Sequence, residues 1–211
     1  MATLRRLAHT LKRPVETLTA AALLVATLPL LVAMALWIRL DSPGHPFFVQ
    51  TRIGRHGRPF RLFKLRTLHA DRFGIDLDAE LSLNDARVTR PGRWLRRSKL
   101  DELPQLWPVL TGEMALVGPR PDIPEQVARY TPQQRLRLVV RPGLTGAAQV
   151  SGNTALSWDQ RIVIDRWYIR HWSPRLDLRI VWATAWAIVA GETLPKDRLG
   201  LPAGLLEGRH P

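Results

Sequence analysis

The stretch Arg96-Arg97-Ser98-Lys99-Leu100-Asp101-Glu102-Leu103-Pro104-Gln105-Leu106 sets two adjacent carboxylates behind a dense run of cations. Nearby positive charge favours the ionised carboxylate. Such a carboxylate can attack phosphorus and form an acyl phosphate. Its neighbour can hold a divalent cation that neutralises phosphate oxygens. Asp101 and Glu102 are therefore together a candidate pair of nucleophile and metal ligand. A plainer reading stands beside this one. Ser98 followed three residues later by Asp101 matches a capping box, in which Asp101 merely starts a helix.

Other constellations point to phosphate. In Gly118-Pro119-Arg120-Pro121-Asp122, Pro119 and Pro121 fix the backbone around Arg120, and a preorganised guanidinium binds phosphate with less loss of entropy. In Arg141-Pro142-Gly143-Leu144-Thr145-Gly146, followed by Gln149 to Asn153, glycines allow the backbone to approach a ligand closely. Lys64 and Arg66 end one face of a period-two stretch that begins at Phe60 and Leu62, where they could reach a phosphate or form a solvated strand end. None of these is a P-loop or a Rossmann fingerprint. The histidines show no metal-ligand spacing and no Gly-x-Ser-x-Gly elbow occurs, which argues against a zinc hydrolase or an α/β-hydrolase.

The elements that must carry these residues belong to a chain of 211 residues, enough for one domain with a real core. The absence of cysteine excludes a disulfide framework and a thiolate metal site. The net charge is +13, from 31 Lys and Arg against 18 Asp and Glu. That excess calls for an anionic partner: nucleic acid, lipid headgroups or phosphorylated substrates.

Strands are expected at Phe47 to Ile53 and Pro59 to Thr67, with a turn at Gly54-Arg55-His56-Gly57. His69 to Asn84 reads as a surface loop or short helix. Helices are expected around Leu103 to Leu110, Pro124 to Val139, Ser157 to His171 and Leu176 to Ala190. The expected class is α/β, mostly helical with a small β-hairpin, in a single compact domain. Its segments are a basic stretch 1–13, a membrane helix 14–40, a catalytic domain 41–190 and a tail 191–211. Five of eight tryptophans, from Trp158 to Trp186, fall in the C-terminal third, as core residues or as anchors in a lipid headgroup layer.

Residues Thr17 to Ile38 contain no charge. As a helix they extend roughly 33 Å, enough to cross a bilayer core. Basic residues flank the run on both sides, Arg5, Arg6, Lys12 and Arg13 before it and Arg39, Arg52 and Arg55 after it. Cytoplasmic flanks attract positive charge, so a plain span would put one flank on the wrong side. Pro29 cannot donate to the Val25 carbonyl, and a break there would give a re-entrant helix-break-helix. A plain span or a secretory signal peptide, with Ala33-Met34-Ala35 as its cleavage site, are the alternatives.

The chain resembles the bacterial sugar transferases of the monotopic phosphoglycosyl transferase superfamily. The resemblance covers about Lys12 to Val189. It runs in order through Asp41-Ser42-Pro43-Gly44, Gln50-Thr51-Arg52-Ile53-Gly54, Phe63-Lys64-Leu65-Arg66-Thr67, Leu100 to Leu106, Leu116-Val117-Gly118-Pro119-Arg120-Pro121, Pro142-Gly143-Leu144-Thr145-Gly146, and Asp165 with Tyr168. It implies attack by Asp101 on the sugar-bearing phosphate of a UDP-sugar, release of UMP, and transfer of the phosphosugar to undecaprenyl or another polyprenyl phosphate. It also implies that Glu102 binds Mg2+, that Arg120 contacts the donor, that Lys64 and Arg96 hold phosphate, and that Asp165 is a further acid of the site. A re-entrant helix at the cytoplasmic face of the bacterial inner membrane is implied as well.

Three positions depart from the family pattern. Leu28 stands where a serine often precedes the proline, Leu68 where a methionine often follows Arg-Thr, and Glu16 near the place of an aspartate at the helix entrance. The competing readings are an inactive scaffold of the same fold and a membrane-tethered nucleic-acid binder. The second leaves the acid pair unexplained, and nucleic acid is not the expected partner. The tail and C-terminal helices offer apolar surface on which a homodimer could form.

Overall fold

A computed structural model describes residues 2–69, 85–152, 155–190, 199–202 and 205, with side chains from Thr10 onward. Most of the loop expected at 69–84 and most of the tail lie outside these residues.

The chain begins with one long helix, α1 (Ala2–Asp41). It runs without interruption through Pro29, so the helix-break-helix expected there is not present as a break in the helix. The physical reason is local. A proline removes one donor, to the Val25 carbonyl, and leaves the rest of the ladder intact. Contacts on both sides of Pro29 hold the helix against the same body. A stripe of residues at three- and four-residue spacing, Lys12, Glu16, Ala20, Leu24, Thr27, Leu31, Met34 and Ile38, is buried or half-buried, as expected for one face of a helix. The opposite face, including Val15, Leu18, Val25, Leu28, Val32, Leu36 and Leu40, is exposed and apolar. The far end of α1 is capped from outside. Arg66 donates to the carbonyls of Ile38 and Ser42 and to Ser42 Oγ.

The hairpin follows. β1 (Phe47–Ile53) and β2 (Pro59–Leu65) pair antiparallel with Val49 opposite Phe63, as the sequence led one to expect. The turn between them places His56 at φ 59 and Gly57 at φ 77. Phe60 and Leu62 face inward, packing with Ala20 of α1 and with Leu106, Val109 and Met114.

The helix α2 (Arg90–Ser98) is capped by the Thr89 side chain, which accepts from Gly92 N. It ends at Lys99, in the left-handed region at φ 59. A short 3₁₀ turn over Leu100–Gln105 then leads into α3 (Leu106–Thr111). Ser98 Oγ bonds back to the Trp94 and Leu95 carbonyls, so the capping box offered by Ser98 and Asp101 does not form. Asp101 is not a helix cap.

A two-stranded parallel sheet, β3 (Ala115–Val117) with β4 (Gly143–Thr145), carries the remaining loops. Between them the helix expected over Pro124 to Val139 is three pieces: α4 (Pro124–Ala128), α5 (Pro132–Arg135) and a 3₁₀ turn over Leu136–Val139. The break falls where Pro132 forbids continuation, and Thr131 restarts the chain with a capping box to Gln134. After the short α6 (Ala147–Val150), α7 (Trp158–His171) and α8 (Pro174–Ala190) pack Ile164, Tyr168, Leu176 and Ile180 against Val117. Trp172 joins that core, whereas Trp182 and Trp186 are exposed beside Leu178, Val181 and Val189. The C-terminal tryptophans are thus divided between core and surface.

Candidate active site

The 3₁₀ turn presents Asp101 and Glu102 to different surroundings. Glu102 Oε1 accepts from Lys64 Nζ at 2.8 Å and from Arg120 Nη2 at 3.1 Å. Three separate segments meet there: the end of β2, the acid turn, and the loop after β3. Burial works against the Glu102 charge, but Lys64 and Arg120 outweigh it and hold its carboxyl well below the usual range. Burial in turn pushes the Lys64 ammonium down from its ordinary value, opposed by Glu102.

Asp101 is buried and makes no hydrogen bond or ion pair among the described residues. Burial and then the charge of Glu102 raise its carboxyl to about 6, against the pull of Lys64, Lys99 and Arg96. An unpaired, desolvated carboxylate beside cations is a reactive arrangement. Arg96 is placed near it and donates from Nε to Thr67 Oγ1 at 3.1 Å. Asp101, Glu102, Lys64, Arg96 and Arg120 are therefore brought together as expected.

Glycine explains how the arginine loop reaches this point. A Cβ on Gly143 would lie 2.1 Å from Gly118 N, and one on Gly146 would lie 2.1 Å from Gly118 O. The loops after β3 and around β4 cross in backbone contact, with Gly118 N donating to Thr145 O and Gly143 N to Pro119 O. The close approach inferred for a ligand is made instead by one loop to another, and Pro119 sits buried in that crossing.

Three expected phosphate-site residues are engaged elsewhere. Arg66 is buried and holds the end of α1 and the Ser42-Pro43 bend. Arg141 donates to Met114 O at 3.2 Å and to Glu16 Oε2 at 3.1 Å. Asp165 pairs with Arg137 at 2.5 Å in the interior. Each fastens elements that the strand and loop patterns alone did not bring into contact.

Arg137 was not apparent from the sequence. It also bonds Asp122 and the Tyr130 hydroxyl, and donates to the Arg120 carbonyl at 2.9 Å. Burial pushes Asp165 up to about 6, with Arg137 drawing it back. Asp165 is thus linked to the Arg120 backbone through Arg137. A shallow depression lined by Ile53, Gly54, Pro119, Arg120, Tyr130 and Pro142 adjoins this network.

Among the described residues no group of three or more His, Cys, Asp or Glu could by itself hold a metal ion. Mg2+ commonly takes only one or two carboxylates and completes its shell with substrate phosphates and water. Glu102 Oε2, without a protein partner among the described residues, and Asp101 fit that mode of binding.

The family model described as bacterial sugar transferase matches residues 7–191. The chain is 47% identical over 190 residues to a UDP-glucose:undecaprenyl-phosphate glucose-1-phosphate transferase of Caulobacter vibrioides, covering 86% of this chain and 71% of that protein. It is 39% identical over 182 residues to an uncharacterized sugar transferase of Bacillus subtilis, covering 86% and 89%. It is 42% identical over 188 residues to an undecaprenyl-phosphate glucose phosphotransferase of Komagataeibacter xylinus, covering 82% of this chain but 35% of that longer protein.

Proposed function

We propose, since this chain belongs to the bacterial sugar transferase family as a polyprenyl-phosphate sugar-1-phosphate transferase, that it works in two steps through Asp101. A carboxylate oxygen of Asp101 attacks the sugar-bearing phosphorus of a UDP-sugar. The bond from that phosphorus to the bridging oxygen breaks, UMP leaves, and a phosphosugar remains as an acyl phosphate on Asp101. A phosphate oxygen of the polyprenyl phosphate then attacks the same phosphorus, and the Asp101 carboxylate leaves. The observation that carries this reading is the contrast within the acid pair. Glu102 is held by two cations, whereas the buried Asp101 side chain has no hydrogen-bond or ion-pair partner among the described residues.

Lys64 and Arg120 meet on one carboxylate oxygen, where their remaining N–H groups can turn to donor phosphates. Arg96 supplies positive charge beside the nucleophile. A bound Mg2+, held by Glu102 with or without Asp101, would supply charge neutralisation at the phosphate oxygens.

The protein acts on the cytoplasmic face of the bacterial inner membrane without crossing it. Support comes from the seat of α1. The helix packs on its own polar domain from Lys12 to Ile38 while its opposite face is bare and apolar. A helix so held cannot carry its two basic flanks to opposite sides of a bilayer, and its bare face suits burial in the lipid of one leaflet. Exposed Trp182 and Trp186 on α8 suit the headgroup layer.

The test is intact mass of detergent-solubilised protein incubated with UDP-sugars and Mg2+ but no lipid. A phosphosugar adduct is expected on the wild type and not on Asp101→Asn. No adduct from any donor, together with no UMP when undecaprenyl phosphate is added, would sink the reading in favour of a scaffold.

A further inference from the structure

The strand β3 is three residues long and, among the described residues, has a strand neighbour, β4, along one edge only. Its other edge is completed by side chains of α1. Glu16 Oε1 accepts from Leu116 N at 3.1 Å and Val117 N at 3.4 Å. Lys12 Nζ donates to Val117 O at 3.0 Å, and Tyr168 Oη donates to the same oxygen at 3.2 Å. One helical turn thus does for β3 what a third strand would do, satisfying buried backbone groups that need partners.

Both residues are fixed from behind. Lys12 Nζ also donates to Asp177 Oδ2 at 2.7 Å, at the start of α8, and lies over the rings of Tyr168 and Trp172. Glu16 Oε2 accepts from Arg141, which donates as well to Met114 O just before β3. Val117 leads through Gly118 and Pro119, both buried in the crossing with β4, to Arg120. Little slack separates the helix contact from the arginine that bonds Glu102.

We propose that Lys12 and Glu16 are positioning residues for Arg120, so that the apolar helix must be seated on β3 for the acid pair and its arginine to assemble. The seat of the lipid-facing helix and the geometry of the phosphate site are one mechanical unit. This inference rests on the phosphoglycosyl-transfer reading and adds to it a reason for the helix beyond anchorage.

The experiment is a double-mutant cycle on the full chain in detergent. It pairs Lys12→Met with Arg120→Ala and reads single-turnover UMP release with enzyme in excess. The donors are UDP-glucose, UDP-galactose and UDP-N-acetylgalactosamine, with undecaprenyl phosphate as acceptor. Lys12→Met alone is expected to lower the rate at limiting donor about tenfold, the size of coupling common between contacting residues, and Lys12→Arg to restore most of it. In the Arg120→Ala background the same change is expected to do nothing further. A tenfold loss in both backgrounds would show that Lys12 acts independently of Arg120 and would overturn the proposal. So would an unchanged rate in Lys12→Met. If Lys12→Met does not fold, Glu16→Gln is taken through the same cycle with the same criteria. Wild-type release is measured first. No UMP from any donor counts against the transfer reading itself, whereas release with additive variants counts only against this coupling.

Discussion

Arg137 donates to the carbonyl oxygen of Arg120 across 2.9 Å while its guanidinium pairs with Asp165 and Asp122. One buried cation thereby sets the backbone of the arginine that reaches Glu102. Removing it leaves two carboxylates without their cation, and breaking a buried pair from one side costs about 3–5 kcal/mol. Arg137→Met is expected to lower the free energy of unfolding in urea by about that amount and to slow UMP release. Asp165→Asn keeps the shape and an accepting oxygen. It is expected to lose less stability in the same denaturation experiment, while still slowing release through the loosened Arg120.

Asp101 must be ionised to attack, and its carboxyl stands at about 6. Donor turnover is therefore expected to rise with pH along a limb centred near 6 and to flatten by about pH 8. The same shift works against the fold. The folded pKa lies above the ordinary 3.8, so the contribution of this group to stability is full below that value and is lost as pH rises through about 6. Asp101→Asn, inactive, is expected to exceed the wild type in stability by about 1–3 kcal/mol at neutral pH. Near pH 4 the gain should vanish. Urea unfolding at the two pH values checks the sign.

Gly146 and Gly57 make an instructive pair. A Cβ on Gly146 would meet the Gly118 carbonyl oxygen at 2.1 Å, a backbone atom that cannot step aside. Gly146→Ala is expected to destabilise by about 1–3 kcal/mol and to raise the donor KM by pushing the Arg120 loop. Gly57 has φ +77 but open space around it. Gly57→Ala is expected to lose about 1 kcal/mol with the donor KM unchanged. Thermal melts and donor titrations on the two variants separate crowding at the loop crossing from simple backbone strain.

The hairpin, α7 and α8 were legible because each rests on local signals: period-two alternation with a turn at Gly54 to Gly57 for the hairpin, and helical spacing of apolar residues for α7 and α8. Asp101, Glu102, Lys64 and Arg120 were legible because their types and order match a family pattern, and the structure gathers them. Arg66, Arg141 and Asp165 carry the same kind of charge but meet α1 or the buried Arg137. Which cation faces phosphate and which fastens a helix depends on contacts between segments distant in sequence, and spacing does not report those. The buried stripe on α1 was available in the sequence at three- and four-residue intervals. The absence of charge from Thr17 to Ile38 drew attention to lipid, although Lys12 and Glu16 one turn apart begin the stripe that seats the helix on its domain.

Glu102 offers the sharpest test of the metal. Its Oε1 is shared by Lys64 and Arg120, and its Oε2 faces no protein donor among the described residues. A single free carboxylate oxygen suits Mg2+ only while donor phosphates fill other positions of the shell. Turnover is therefore expected to stop in excess EDTA and to return with added Mg2+. Glu102→Gln keeps an accepting oxygen but loses the charge. It is expected to raise the half-saturating Mg2+ concentration at least about tenfold at saturating donor, the scale seen when metal-site partners are altered. Lys64→Met should act differently. It removes a cation from the same oxygen and one of the groups that can meet the donor phosphates, so its main effect is expected on donor KM rather than on Mg2+ demand. Titrating Mg2+ and UDP-sugar separately on the two variants, with UMP release as readout, distinguishes the roles. Full turnover of the wild type in EDTA would remove Mg2+ from the mechanism and leave Lys64, Arg96 and Arg120 as the phosphate charge partners.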